Sequence, residues 1–168
     1  MGQQSPLARH MKKKADLDHL FVSPYEIQES MRSVFDLIAR RAYEIFQNRG
    51  KVHGYDWEDW LQAESEVLQS VTFEVGDSGD AFVAVVAVDN YPPATLRISA
   101  EPRCVRICGL SDSQDKRSDA SEEEVQHDER FLVVINLPTE IDTSDISAKI
   151  REGVLEVRLP KALSHADV

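Results

Sequence analysis

The sequence predicts a mainly β chain: an antiparallel β-sandwich preceded by an N-terminal two-helix hairpin. Three observations carry that prediction. Up to about residue 70, apolar residues recur at spacings of three and four, the period of helices with one buried face. Beyond that point apolar and polar residues alternate, the period of half-buried strands. Proline and glycine punctuate this second part about every ten residues, as they do in sandwiches of short strands.

Residues 1–22 combine the basic cluster Lys12-Lys13-Lys14 with polar residues and no clear period, and read as a mobile N-terminal arm. Order is expected from Ser23-Pro24-Tyr25-Glu26. There serine can cap, proline takes the first helical position, and glutamate stands where a capping box needs it. Ile27, Met31, Val34, Phe35, Ile38, Ala42, Ile45 and Phe46 then form one apolar stripe, and Gly50 supplies the C-terminal stop. After a short connection Asp56 is expected to cap a second helix, with Glu58 and Asp59 in its first turn. Trp57, Trp60, Leu61 and Leu68 are expected to share a face, so that the hairpin of residues 23–69 buries both tryptophans against Phe35, Ile38 and Phe46. So small a pair is marginal alone, and leans on the next domain, a second copy or a partner.

Seven strands are expected: Val71–Val75, Ala81–Val88, Thr95–Ala100, Arg103–Cys108, Phe131–Leu137, Ile146–Ile150 and Val154–Leu159. Their inward faces are Phe82/Ala84/Val86/Val88, Leu96/Ile98, Val105/Ile107, Phe131/Val133/Ile135/Leu137 and Leu155/Val157/Leu159. The sandwich runs over 70–161 and leaves a short tail at 162–168. Residues 111–130 hold eight acids and three bases with almost nothing apolar. This long acidic loop is either a mobile arm or a segment that pairs with another chain.

Composition restricts function. Nineteen Lys plus Arg against thirty Asp plus Glu give a net charge of -11, which repels phosphate backbones; neither nucleic acid nor an anionic membrane is an expected partner. The longest apolar run, Ala81–Val88, is far shorter than the roughly 20 residues of a membrane-spanning helix. The N-terminus lacks a signal-peptide stretch, and Pro6 stands where a myristoylation pattern needs a hydroxyl, so a cytoplasmic location is expected. Cys104 and Cys108, on one strand, would lie roughly 13 Å apart, beyond bridging distance, and read as two small semi-buried thiols. The five histidines are scattered without metal-ligand spacing, and there is no nucleophile elbow, zinc-helix motif, phosphate loop or Cys-x-x-Cys pair. No metal, cofactor or catalytic residue is expected, and the chain reads as a non-enzyme.

Against that background the strand region resembles the α-crystallin domain of small heat-shock proteins. The most specific match is Ala148-Lys149-Ile150-Arg151-Glu152-Gly153-Val154-Leu155, similar to the family's Ala-x-x-x-x-Gly-Val-Leu signature, with Glu156 to Leu159-Pro160-Lys161 like its closing strand. The stretch from Ala81 through Asn90-Tyr91-Pro92-Pro93 to Cys108-Gly109 is similar to the family's strand, proline turn, strand, hairpin and strand-ending glycine. Phe131 to Leu137-Pro138, then Ile141-Asp142 and Ile146, follow its order. Residues 38–68, through Arg41-Ala42-Tyr43-Glu44 and Trp60-x-x-Ala63-Glu64, resemble a short bacterial helical domain of unknown function, which implies a bacterial source.

The resemblance implies an immunoglobulin-like sandwich of the α-crystallin type, and an ATP-independent holdase that binds partly unfolded proteins and prevents their aggregation. It places the client groove between Thr95–Ala100 and Ile146–Ile150, lined by Leu96, Ile98, Ile146 and Ile150; alternation alone makes the same four residues core. Trp57 and Trp60 are a second candidate contact, with a plain hairpin core as the alternative. Bacterial members exchange a strand of the long loop to dimerise, and here only Glu124-Val125-Gln126-His127 offers an edge strand, which implies a homodimer or small homo-oligomer. The tail Ala162–Val168 has none of the Ile-x-Ile/Val motif through which the family builds large assemblies. The competing reading is a non-catalytic co-chaperone or adaptor with the helical hairpin as its docking element.

Overall fold

The structure, a computed structural model, describes residues 17–110 and 130–163. The Lys12–Lys14 cluster, Glu124–His127 and the rest of the acidic loop up to residue 129, and residues 164–168 lie outside the described residues.

Helix α1 spans Pro24–Asn48 and begins as its sequence dictates. The Ser23 hydroxyl accepts from the Glu26 N–H, while the Glu26 carboxylate accepts from the Ser23 N–H, closing a capping box with proline in the first turn. Its other end closes on Gly50 at φ +94°: Gly50 N–H donates to the Gln47 carbonyl and Lys51 N–H to that of Phe46, the paired bonds of a Schellman motif. Helix α2 spans Asp56–Val67. Asp56 is not its cap; the capping position falls on Tyr55, which offers no side-chain bond, and Asp56 instead joins Glu58 and Asp59 as first-turn acids.

All seven expected strands form, with ends shifted by a residue or two. They are β1 Phe73–Asp77, β2 Ala81–Ala87, β3 Leu96–Glu101, β4 Cys104–Leu110, β5 Arg130–Asn136, β6 Ser147–Arg151 and β7 Val154–Pro160. One sheet has the order β1-β2-β7-β6 and the other β3-β4-β5, all pairs antiparallel. The register explains the alternation. Phe82, Ala84 and Val86 oppose Leu159, Val157 and Leu155, while Ile107 sits between Ile98 and Val133, and Val105 opposite Ile135. Every one of these side chains is buried in one cluster between the sheets, and each of them other than Ala84 contributes about 1.5–3 kcal/mol if fully transferred from water.

Two further expectations are corrected. Residues 17–22 belong to the fold rather than to a mobile arm: Asp18–Leu20 form a 3-10 turn, Leu20 is 0% exposed within the sandwich core, and Phe21 forms a parallel bridge with Ile98. The tryptophans are not buried together. Trp60 packs on the Val34/Ile38/Ala63 cluster with its ring centroid 6.5 Å from that of Phe35, whereas Trp57 is 69% exposed. The reason is helical phase. At about 100° per residue, Trp60 lies roughly 60° from Ala63, the buried centre of α2, but Trp57 lies roughly 120° away and Leu61 about 160°. Accordingly Leu61, and Phe35 on α1, are also exposed.

The hairpin leans on the sandwich of its own chain. Leu110, at the end of β4, packs against the Val34/Ile38/Ala63 cluster, and Gln69 N–H donates to the Arg130 carbonyl at the start of β5. An open cleft of about 510 Å³ separates the first turns of α1 from Glu101 and Arg106.

Candidate site: an apolar seam at the edge of the sandwich

Alternation puts Leu96 and Ile98 on the inward face of β3, and both are wholly buried in the sandwich core. Ile146, just before β6, and Ile150 within it are half-buried and pack against that same cluster. The four side chains named from sequence therefore belong to or pack against one core, and Leu96 and Ile98 present no open surface to a ligand. What covers this edge is the chain itself. Beside β3, an edge strand, Val22 N–H donates to the Ile98 carbonyl at 2.9 Å, Leu20 enters the core, and Leu17 and Phe21 pack against it. Sequence reasoning missed this segment; its one signal is the apolar spacing of Leu17, Leu20 and Phe21 behind the basic cluster.

The Ala148…Gly153-Val154-Leu155 motif builds the adjacent hairpin. Arg151 pairs with Val154, leaving Glu152 at φ +49° and Gly153 at φ +75°, a two-residue turn with both central residues left-handed. Gly153 also lies close to another loop: a Cβ there would fall 1.7 Å from Asp89 Oδ1, and the Gly153 carbonyl accepts from Val88 N–H at 2.7 Å. Ala148 is half-buried against the core and Leu155 fully buried. The motif thus fixes β6, and with it Ile150, against β7. Gly109 plays a parallel part on β4, where a Cβ would meet Phe131 at 2.3 Å and Tyr91 at 3.0 Å, two rings packed edge to face at 4.6 Å.

At the closing strand, Lys161 Nζ reaches Asp77 at 2.7 Å and stands 4.7 Å over the Phe82 ring, while Arg158 pairs with Asp80 at 2.7 Å. The Lys161 ammonium and the Gly79 N–H hold the Asp77 carboxyl below its usual range. Around the hairpin loop, Arg49 bonds the buried Asp59 carboxylate and the Val52 carbonyl and lies 4.9 Å over the Tyr55 ring. Tyr43, Tyr55, Trp57 and Leu61 remain exposed on this module.

Burial pushes the Cys108 thiol up to about 11, against a smaller lowering by Arg97, so it is held protonated and poorly nucleophilic near neutral pH. Cys104 is half-buried, and neither is in a disulfide. Among the described residues no group of three or more His, Cys, Asp or Glu is arranged to hold a metal ion, and no helix is long and apolar enough to cross a membrane.

Two antiparallel sheets of four and three strands, with a covered β3 edge and a two-helix module packed against them, define an immunoglobulin-like sandwich of the α-crystallin kind. The model of the Hsp20/alpha crystallin family matches residues 74–167, and the chain belongs to this family, that of the small heat-shock-type chaperones. Residues 36–69 match the family described as a protein of unknown function, DUF2934. Among solved structures the chain is similar to heat shock protein 16.0 from Schizosaccharomyces pombe, at 21% identity over 56% of this chain and 88% of that one, with a TM-score of 0.47. It is also similar to a small heat-shock protein from Xylella fastidiosa, at 19% identity over 60% and 93%, with a TM-score of 0.47. A third is hspA from Xanthomonas axonopodis, at 24% identity over 54% and 92%, with a TM-score of 0.43. No curated protein sequence matches the chain.

Proposed function

We propose that this protein is an ATP-independent holdase whose client surface centres on the half-buried Ile146 and Ile150, with Leu96 and Ile98 in the core they pack against. The observation that carries the reading is the half-burial of Ile146 and Ile150, at the edge strand β6, against the core that holds Leu96 and Ile98, in a chain of net charge -11. Such an edge gains roughly 25 cal/mol for each Å² of apolar area it covers, while the charged exterior keeps a client complex in solution. No nucleotide or cofactor enters this chemistry, and none of the named residues is asked to act as acid, base or nucleophile.

The test is light scattering of two unrelated aggregating clients without ATP. Suppression of both at near-stoichiometric ratios is expected. Suppression of neither would sink the holdase reading. It would leave the adaptor reading, which the exposed Tyr43, Tyr55, Trp57 and Leu61 favour as a docking patch for one folded partner.

The same reading takes the protein as a homodimer or small homo-oligomer. Strand β1 supports it: it ends the four-stranded sheet with all five residues exposed, Phe73 at 44% and Val75 at 41%. An open edge with apolar side chains accepts another strand, and the stretch Glu124–His127 of a second copy is the candidate. A Phe73→Glu, Val75→Lys variant is expected to run as a monomer in size-exclusion chromatography with multi-angle scattering. An unchanged mass would remove β1 from the interface.

A further inference from the structure

We infer that the outer face of helix α2 is the seat of this chain's own basic arm, residues 7–14. Trp57 and Leu61, one turn apart on that helix, lie exposed at 69% and 46%. Glu58 and Glu64 stand three residues to either side of Leu61, on neighbouring turns of the same face. The helix as a whole carries five acids and no lysine or arginine. Arg49 and Arg41 take up Asp59 and Glu66, which leaves Asp56, Glu58 and Glu64 without an ion-pair partner among the described residues. The face is therefore apolar at its centre and acidic at its margins, and it fits a segment with apolar side chains set among bases.

The sequence holds such a segment. Residues 7–14 bring together Arg9, Lys12, Lys13 and Lys14 with no acid, and place Leu7 and Met11 among them at the same four-residue spacing as Trp57 and Leu61. The fold brings this segment within reach. Phe21 bridges Ile98 in parallel, so Leu17 lies toward the Leu96 end of β3, with Asp18–Leu20 against the turn Pro93–Thr95. Leu96 pairs with Gly109, and the next residue, Leu110, packs on the Val34/Ile38/Ala63 cluster of the hairpin. The arm thus leaves the sandwich at the end where the hairpin is seated. Trp57 is six residues from Ala63, about 9 Å along α2. Lys14 and Lys12 stand three and five residues before Leu17, a reach of about 10–18 Å when extended. Exposed ion pairs contribute little one by one. Here they act beside an apolar contact, on a segment that its tether holds at high effective concentration, with no second molecule to recruit.

The test is zero-length carbodiimide cross-linking of the full chain, which joins a lysine amine to a carboxylate only where the two touch. An equal mixture of isotopically light and heavy protein is used, and the products are mapped by mass spectrometry. Amide links from Lys12–Lys14 to Asp56, Glu58 or Glu64 are expected, each within a chain of one isotope. They are expected to be lost at about 1 M salt, where the screening length falls to about 3 Å. Trp57→Ser with Leu61→Ser keeps every lysine and carboxylate and removes only exposed side chains, so it is expected to fold as the wild type does and to lose the same links. A second measurement leaves α2 untouched. A Lys12→Gln, Lys13→Gln, Lys14→Gln variant is expected to bind a fluorescein-labelled peptide of residues 5–16 more tightly than the wild type, whose face is already filled. Absence of the links, links that survive both serine substitutions, or equal peptide binding by the two proteins overturns the proposal. Links between light and heavy chains overturn occupancy by the chain's own arm and make the face a contact between copies.

Discussion

Replacing Gly153 by alanine is expected to cost about 2–4 kcal/mol and to lower the melting temperature by about 10–20 °C. Two separate causes add. At φ +75° an L side chain is crowded against its own backbone, which costs about 1–2 kcal/mol. The new methyl group would also sit 1.7 Å from Asp89 Oδ1 and 2.6 Å from its Cγ, so the 89 loop must give way or the turn must open. Since the Gly153 carbonyl holds Val88 N–H, moving the turn also loosens that bond. The causes can be separated by circular dichroism melts. Asp89→Gly combined with Gly153→Ala is expected to recover the steric part alone, whereas Glu152→Asn, at the neighbouring left-handed position, should raise stability. A Gly153→Ala protein that melts with the wild type would show that the turn tolerates both insults, and the motif would need another explanation.

The second large effect is expected at Arg49. Asp59 is buried, and its carboxylate is bonded by Arg49 Nε at 3.2 Å and by a terminal guanidinium nitrogen. Arg49→Ala strands that charge, with an expected loss of about 2–4 kcal/mol, somewhat below the figure for a fully buried pair because the arginine is partly exposed. The loss should fall on the helices first. Arg49 also bonds the Val52 carbonyl and lies over Phe46 and Tyr55, so the one side chain ties helix end, loop and second helix together. Far-UV dichroism is expected to show helical signal melting before the sandwich. Replacing both partners, as Arg49→Met with Asp59→Leu, should return most of the stability, since no charge is then left unpaired. A double variant as unstable as Arg49→Ala would mean that the aromatic contacts matter more than the pair.

The strands were legible because inward positions recur every second residue and most of them have an apolar register partner, as with Ile98, Ile107 and Val133 across three strands. Helix α1 was legible at both ends because its signals are local, a serine, a proline and a glutamate at one end and a glycine at the other. Orientation was harder. Trp57 and Trp60 are both apolar and three residues apart, and only the packing of α2 on Val34 and Ile38 decides which of them turns inward. The Arg49–Asp59 pair joins two elements through a loop, and neither residue announces its partner.

Alternation likewise identifies Leu96 and Ile98 as inward-facing without saying whether their strand has a covered or an open edge. That depends on Leu17–Val22, whose three apolar residues make too short a pattern to stand out beside a basic, polar arm. The seam residues were thus legible as apolar, and their cover was not.

The bridge between Phe21 and Ile98 also has a bearing on biosynthesis. Leu17–Val22 is made early, but its seat on β3 exists only after Ile98 has been added, about 4–15 s later at about 5–20 residues per second. Throughout that interval Leu17, Leu20 and Phe21 have no core to enter, while the helices that follow can already pair. The nascent chain therefore carries an unburied apolar stretch through that interval, and seating it needs a strand translated well after it.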